Sequence, residues 1–74
     1  MSEPMSEEIV IQVNGERRKA PPGTTVTGLL AQLGLNAERV AIEYNLQILP
    51  RGKWDETQVA AGDRFEIVQF VGGG

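Results

Sequence analysis

The sequence predicts an α+β fold of two layers, in which one main helix packs on one face of a mixed sheet of four to five strands. Three observations predict it. Short β-branched segments occur near both ends of the chain. A single segment between them carries apolar residues at helical spacing. The order strand, strand, helix, strand, short strand, strand is typical of a sheet covered on one side. We expect the two terminal strands to run side by side in its centre.

The first predicted element is a hairpin. The segment IVIQV, Ile9 to Val13, is rich in β-branched residues, and alternation turns its first, third and fifth side chains inward. Asn14 and Gly15 follow at once. This pair is preferred in a type I′ turn because both central residues need a positive φ. The polar segment ERRKA, residues 16–20, then returns as an edge strand, and its charges discourage pairing with other chains.

The predicted helix follows the break at PPG, residues 21–23. Either Thr24 or Thr25 can accept a hydrogen bond from the free N–H groups of the first helical turn. Gly34 suits the left-handed residue that ends a helix, and Leu35 suits the apolar contact that accompanies this ending. Spacing of i, i+3, i+4 and i+7 predicts one buried helical face, formed by Val26, Leu29, Leu30 and Leu33.

Three further strands are predicted after the helix. The third is VAIEYN, Val40 to Asn45, and the short fourth is LQIL, Leu46 to Leu49, which ends at a proline. The final strand runs from Arg64 to Val71, after a turn at AGD. The segment that precedes this turn has no sustained period, so it is predicted to be irregular. We expect Trp54 and Val59 to attach it to the core as packing residues.

Size and composition restrict the function. The 74 residues make one domain, too small for a deep enclosed active site. The formal net charge of −3 argues against partners that are nucleic acids or anionic membranes. The chain has no Cys and no His, which excludes disulfides, Cys/His zinc sites, thiol nucleophiles and imidazole bases. The acidic start MSEPMSEE does not have the pattern of a secretory signal. We expect a cytoplasmic protein that is not an enzyme.

The final strand has two different faces. Phe65 and Ile67 fall on one face, whereas Val68 and Phe70 fall on the other. If the first pair faces the helix, the second pair faces water beside the end of the chain and can bind a partner. The opposite register, or incidental exposure, is the alternative. Two more residues are candidates for the exposed side: Val10 and Tyr44.

The chain ends in three glycines. We expect a disordered leader at residues 1–7, a folded domain at residues 8–70 and a flexible tail at residues 71–74. The tail is either a frayed end or a thin arm that carries the terminal carboxylate into a narrow site of another protein, since glycine allows close backbone approach. A carboxylate is a poor electrophile, so its use requires activation, most simply as a mixed anhydride with AMP from ATP.

Four segments resemble a known family. They are IQVNGE at the first hairpin, PPGTTVTGLLAQLGL at the helix, VAIEYNLQILPRGKW in the middle and AGDRFEIVQFVGGG at the end. Together they resemble the ThiS-type sulfur carriers, ubiquitin-like β-grasp proteins of thiamine biosynthesis, over residues 8–74. The terminal IVQFVGGG is the most specific part. Leu46 departs from the pattern, because a Gly or a small polar residue is expected in that turn.

The resemblance implies a reaction at the C-terminus. A ThiF-like, E1-type adenylyltransferase would activate Gly74 with Mg-ATP. Sulfur relayed from cysteine by a cysteine desulfurase would then convert the adenylate to a thiocarboxylate. The carrier would dock on thiazole synthase (ThiG), where the sulfur enters the thiazole ring together with deoxyxylulose 5-phosphate and a glycine-derived imine. No cofactor is expected to be bound stably, and we expect the free chain to be a monomer.

The resemblance carries over to few residues. Gly73 and Gly74 match the functional tail and Gly72 extends it, so these glycines are expected to thread into the partner and to present the carboxylate. Partner contact is the expected role of the hydrophobic residues before the tail: Val68, Phe70 and Val71. The lack of Cys is consistent with a terminal thiocarboxylate, because this chain has no thiol that could carry the sulfur.

Other functions remain compatible with the sequence. A carrier that feeds another pathway, such as molybdopterin or cysteine synthesis, would have the same fold and tail chemistry. A different class is a non-covalent β-grasp interaction module with an inert tail. A third is a ubiquitin-like modifier joined to lysines of target proteins. Only the family resemblance disfavours the last two.

Overall fold

The computed structural model describes residues 8–70. The predicted leader at residues 1–7 and the tail at residues 71–74 lie outside this range. Short 3₁₀ turns occur at Ala37–Arg39 and Arg51–Lys53. The regular elements are β1 (Ile9–Val13), β2 (Glu16–Ala20), α1 (Val26–Leu33), β3 (Val40–Tyr44), β4 (Gln47–Ile48) and β5 (Arg64–Gln69).

The strands form one mixed sheet in the order β2-β1-β5-β3-β4. β1 and β5 are parallel neighbours in its centre, and the other pairs are antiparallel. The prediction that the two terminal strands run side by side is therefore confirmed. β2 and β4 are the edges, and β2 carries the charged residues expected of an edge strand.

The helix begins and ends as the sequence predicts. The Thr25 hydroxyl accepts a hydrogen bond from Gly28 N–H at 3.1 Å, which satisfies one donor of the first turn. Gly34 has a φ of 76°, and the next N–H, from Leu35, donates to Leu30 O at 3.0 Å. This is the Schellman ending, in which a left-handed residue turns the chain away from the helix axis. Val26, Leu29 and Leu30 are buried, and Leu33 packs at the edge of the core.

One core lies between α1 and one face of the sheet. Both residues predicted to anchor the irregular segment, Trp54 and Val59, are buried in it. The Trp54 indole N–H donates to Leu49 O at 3.0 Å, so its single polar atom is satisfied. The sheet contributes Ile11, Val13, Ala20, Val40, Ile42, Phe65 and Ile67.

Three strands have bounds that differ from prediction, and one side chain has a different orientation. β3 and β5 end before Asn45 and Phe70, and β4 does not include Leu46 or Leu49. Asn45 and Leu46 both have positive φ values, so they form the turn between β3 and β4 and cannot continue a strand.

Tyr44 was a candidate for the exposed side of the sheet, and that placement is wrong. It lies opposite Phe65 in the β3–β5 register, hence on the buried face. The two rings stack with centroids 5.1 Å apart. An aromatic ring at the border of the core gains this contact while its hydroxyl remains near water, which explains the inward orientation.

Within the part of the chain that the structure describes, α1 is the longest helix, and no helix has the length and apolar composition needed to cross a membrane.

Candidate functional site

Among residues 8–70, the face of the sheet opposite α1 carries exposed side chains of β5 and of Phe70, and we call it the open face. Phe65 is 1% exposed and Ile67 is buried beside it, whereas Val68 is 60% and Phe70 is 52% exposed. The structure therefore has the register in which Phe65 and Ile67 face the helix. Val68 and Phe70 face water, as the sequence allowed; their predicted role in partner binding stays a prediction. Val71, the third predicted contact residue, lies outside the described residues.

Val10 lies on the same face but far from Val68. Gly62 N–H donates to Val10 O at 2.9 Å, so Val10 sits beside residue 62. Six further residues of extended chain separate this point from Val68, a distance of about 20 Å. Val10 therefore does not form one surface patch with Val68 and Phe70.

Other apolar side chains surround Val68 instead. Ala41 is its cross-strand neighbour on β3, and Ile48 on β4 lies opposite Glu43. Leu46, in the turn, and Ile48 are 74% and 71% exposed. Sequence reasoning missed both as surface residues of this site, although alternation across the β3–β4 hairpin would have placed Ile48 on the open face.

These side chains line a depression in the open face. Its volume is about 420 Å³. We call it the β3–β4–β5 depression, and its lining residues are Ala41, Ile42, Glu43, Leu46, Ile48, Glu66 and Val68.

The depression carries two negative charges. Glu43 and Glu66 are directly opposite each other in the β3–β5 register, and both side chains are exposed. Like charges in this position are destabilising. Ion pairs among residues 8–70 join Arg18 to Glu16 and Lys53 to Glu56, and neither involves these two glutamates.

Two asparagine side chains hold β5 in place. Asn14 Oδ1 accepts from Ile67 N–H at 2.7 Å, and its Nδ2 donates to Ile67 O at 3.2 Å. The amide thus continues the ladder beyond the end of β1, as a further strand residue would. Asn45 Oδ1 accepts from Arg64 N–H at 2.9 Å, and its Nδ2 donates to Asp63 at 3.3 Å. Sequence reasoning gave Asn14 only a role in the turn and Asn45 none of this kind.

The last described residue, Phe70, is also held by hydrogen bonding. Phe70 N–H donates to Arg39 O at 2.7 Å, which ties the last described residue to the segment before β3. The Arg51 guanidinium donates to Ala37 O and, at 3.3 Å, to Val40 O. It also lies 4.7 Å from the centre of the Trp54 ring. These contacts hold Phe70, the last described residue, and the segment before β3 against the core.

Chemically, the described site can bind but offers little for catalysis. Its polar side chains are the two exposed glutamates, and the rest of the depression is aliphatic. Within residues 8–70, no three His, Cys, Asp or Glu side chains are grouped so that they could hold a metal ion. The arrangement suits contact with another protein.

The family model described as the ThiS family matches residues 11–74. The chain belongs to the ThiS family. The sulfur carrier protein ThiS of Bacillus subtilis strain 168 is 36% identical over 66 residues, which are 88% of this chain and 100% of that protein. The crystal structure of the thiamine biosynthesis protein ThiS from Geobacter metallireducens is similar with a TM-score of 0.76 and 36% identity. It covers 89% of this chain and 100% of that one. The predicted β-grasp, ubiquitin-like fold is thereby confirmed.

A longer protein is also similar to this ThiS-family chain. The thiazole synthase of Paramagnetospirillum magneticum strain AMB-1 is 44% identical over 62 residues, which are 84% of this chain. The chain spans only 19% of the length of that enzyme. The likeness is therefore to a segment of a thiazole synthase, and the activity of the whole enzyme is not assigned to this chain.

Proposed function

We propose that this chain carries sulfur as a thiocarboxylate on Gly74 and donates it for thiazole formation in thiamine biosynthesis. One observation carries the proposal: the match to the ThiS family continues through the glycine tail to residue 74. The similarity to a segment of a thiazole synthase supports the thiamine route over another sulfur-requiring pathway.

The proposed chemistry begins with activation by a ThiF-like adenylyltransferase. The Gly74 carboxylate attacks the α-phosphorus of Mg-ATP, pyrophosphate leaves, and an acyl-adenylate forms. A hydrosulfide ion then adds to the carbonyl carbon, AMP leaves, and the thiocarboxylate remains. Where a cysteine desulfurase supplies the sulfur as a persulfide, a thiol provides the reducing electrons. Because the first step consumes ATP, we expect the chain to act in the cytoplasm.

The proposed tail suits this chemistry physically. Glycine has no Cβ, so Gly72 and Gly73 can pass through a channel too narrow for other residues. A partner can bind such an arm through backbone hydrogen bonds and contacts to the carboxylate. The exposed side chains of Val68 and Phe70, with Val71, would contact the adenylyltransferase and thiazole synthase and supply specificity. The hydrogen bond that holds Phe70 supports this, because Phe70 directly precedes the proposed tail.

Intact mass spectrometry tests the proposed reaction. The chain is incubated with ATP, a ThiF-like enzyme and sulfide, and we expect one oxygen to be replaced by sulfur in the C-terminal peptide. Deletion of Gly74 should abolish the product. A variant without residues 1–7 is the control, because these residues precede the family match, and it should react like the full chain. A full-length chain that gains no sulfur, or a Gly74 deletion that still does, would overturn the proposal.

If the open face binds the partner, truncation of Phe70 should weaken binding without affecting folding. Phe70→Ala should leave the melting temperature almost unchanged, because half of this side chain is already exposed. Its affinity for the ThiF-like enzyme should fall by about 2 kcal/mol or more, as for other aromatic residues at the centre of an interface. Calorimetric titration and thermal unfolding measure the two effects.

Val10→Ala is the matched control for Phe70→Ala. Val10 is an exposed apolar residue on the same face but beside residue 62, so its truncation should change neither quantity. Loss of folding stability in Phe70→Ala, or equal affinity losses in both variants, would contradict the proposed docking surface.

A further inference from the structure

The β3–β4–β5 depression is an apolar groove without a cover in the part of the chain that the structure describes. Its walls are the aliphatic side chains of Ala41, Leu46, Ile48 and Val68, and three of these are largely exposed. Exposed apolar side chains grouped around one concave site are uncommon on a small soluble domain and are typical of a binding surface. Val68 belongs both to this groove and to the proposed docking surface, so the two are continuous.

The charges of the groove determine which occupant would fit. Glu43 and Glu66 are cross-strand neighbours and both line the groove, together with aliphatic side chains. A basic side chain matches both properties, because its methylene stem packs on apolar surface while its charged head reaches the carboxylates. Arginine matches best, since the planar guanidinium can donate to two carboxylates at once.

Within residues 8–70, no basic side chain of the chain forms an ion pair with Glu43 or Glu66. Arg64 is the nearest basic residue on the same strand and face, two positions before Glu66. The described ion pairs lie elsewhere and leave Arg64, Glu43 and Glu66 without an ionic contact to one another. Arg17 and Lys19 share the open face but lie on β2, at the opposite edge of the sheet.

The backbone conformation and the exposure of Leu46 support a role of the groove in binding a partner. Its φ of 75° belongs to a conformation that favours glycine, and its side chain is 74% exposed, so little packing within the described domain compensates for the strain. Glycine at this position would relieve the strain but would remove one wall of the groove.

We propose that the β3–β4–β5 depression receives an arginine side chain of a partner protein, with the guanidinium between Glu43 and Glu66 and the stem against Leu46, Ile48 and Val68. This proposal extends the proposed docking role. It rests on the proposed function only for the identity of the partner, which is the adenylyltransferase. Attraction between opposite charges would also speed the encounter and make it sensitive to salt.

The first experiment tests the groove without any partner enzyme. The ¹⁵N-labelled chain is titrated with N-acetylarginine amide and, separately, with N-acetylcitrulline amide, an uncharged molecule of nearly the same shape. Amide shifts confined to residues 41–48 and 64–68, larger for the arginine compound, are expected. They should disappear in Glu43→Gln/Glu66→Gln and persist in the charge-matched control Glu16→Gln/Glu56→Gln. Equal responses to both compounds, or shifts spread over the whole surface, would overturn the inference.

The second experiment measures binding to a ThiF-like adenylyltransferase. Glu43→Gln/Glu66→Gln should weaken binding about tenfold or more and reduce its salt dependence, while the melting temperature stays equal or rises. Glu16→Gln/Glu56→Gln should bind like the original chain. Leu46→Gly should raise the melting temperature and weaken binding. If the groove variants bind with unchanged affinity and the thiocarboxylate still forms, the assignment of the groove to an arginine is overturned. The proposed function then still stands.

The remaining outcomes separate the two proposals. Failure of the original chain to form an adenylate overturns the proposed function, and the arginine titration then decides the groove alone. A second copy of the chain could also place Arg17 or Lys19 in the groove. Sedimentation would show this as a concentration-dependent dimer that dissociates in Glu43→Gln/Glu66→Gln, and that result would overturn the assignment to a different partner protein.

Discussion

The central residues of the two hairpin turns have nearly the same φ values, although their sequences differ. Asn14 and Gly15 have φ values of 52° and 82°, and Asn45 and Leu46 have values of 50° and 75°. The first turn has the pair of residues that this geometry prefers. The second keeps the asparagine and places an exposed leucine where glycine would be favoured.

The difference separates two tasks of a turn residue. In both turns the asparagine tolerates a positive φ, and its side-chain amide forms hydrogen bonds with the backbone of β5. The first turn residue therefore stabilises the fold in both cases. The second turn residue stabilises the fold only in the first hairpin, where Gly15 adopts its positive φ without strain. The Leu46 side chain instead lines the β3–β4–β5 depression, for which we propose a partner. Leucine at this position therefore lowers the stability of the turn but contributes to the proposed binding surface.

Removal of the Asn14 amide should give the largest effect. Asn14→Gly keeps a residue that tolerates the turn geometry but leaves Ile67 N–H and C=O without their partner, and it should lower the free energy of unfolding by about 2 kcal/mol. For a domain of this size, Tm should fall by roughly 10 °C. Thermal and urea unfolding measure both values.

The same change in the second turn should have a smaller effect. Asn45→Gly loses one bond at an exposed position and one long bond of 3.3 Å to Asp63, so a loss of about 1 kcal/mol is expected. Equal losses in the two variants would mean that the Asn14 bonds contribute no more than those of an exposed turn.

Substitution of the second residue of each turn should change stability in opposite directions, each time by about as much as Asn45→Gly. Gly15→Leu should destabilise the domain by about 1 kcal/mol, since a Cβ there meets nothing within 4 Å and only the conformational cost remains. Leu46→Gly should stabilise it by a similar amount, about 1 kcal/mol. Chemical denaturation tests both. Destabilisation by Leu46→Gly would show that the exposed leucine contributes packing to the domain after all.

The smallest effect concerns the tyrosine before the second turn. Burial, and after it the neighbouring Asp63 carboxylate, raises the pKa of the Tyr44 hydroxyl above its ordinary value of 10.0. The folded state therefore keeps this proton when the unfolded state has lost it, and the stabilisation present below pH 10 disappears as the pH rises through the folded value.

Tyr44→Phe isolates this contribution because it keeps a ring against Phe65 and removes the hydroxyl. The free energy of unfolding should fall less steeply with pH above 10.0 in the variant than in the original chain, whereas the two profiles should run parallel at neutral pH. Other titrating groups are common to both proteins and cancel in the comparison. Parallel profiles at alkaline pH would contradict the role assigned to this hydroxyl.

The sequence pattern predicted an element correctly where a few neighbouring residues determine its conformation. The type I′ turn at Asn14 and Gly15 follows from two adjacent residues, and the helix ending at Gly34 follows from one glycine beside a periodic segment. The strand pattern wrongly included Asn45 and Leu46 in β3 and β4, because Leu46 has the character of a strand residue. Its positive φ is imposed by the pairing of β3 with β4.

The candidate site was predicted only in part for a similar reason. Alternation identified Val68 and Phe70 as one face of β5, but it could not say which face is buried. Val10 was grouped with them because sequence does not give the stagger between β1 and β5. Ile48 and the opposition of Glu43 to Glu66 depend on cross-strand register, which involves residues distant in the chain.

The sequence by itself determined the class of fold, the helix and its two ends, the first turn and the glycines at the end of the chain. These depend on residues close together in the chain, whose conformational preferences act without distant neighbours. Only the tertiary structure decided that Tyr44 turns inward, that Asn14 bonds to Ile67, and that Leu46 and Glu66 share one depression. Those features depend on how strands far apart in sequence are paired, and that pairing is fixed by burial of a common core.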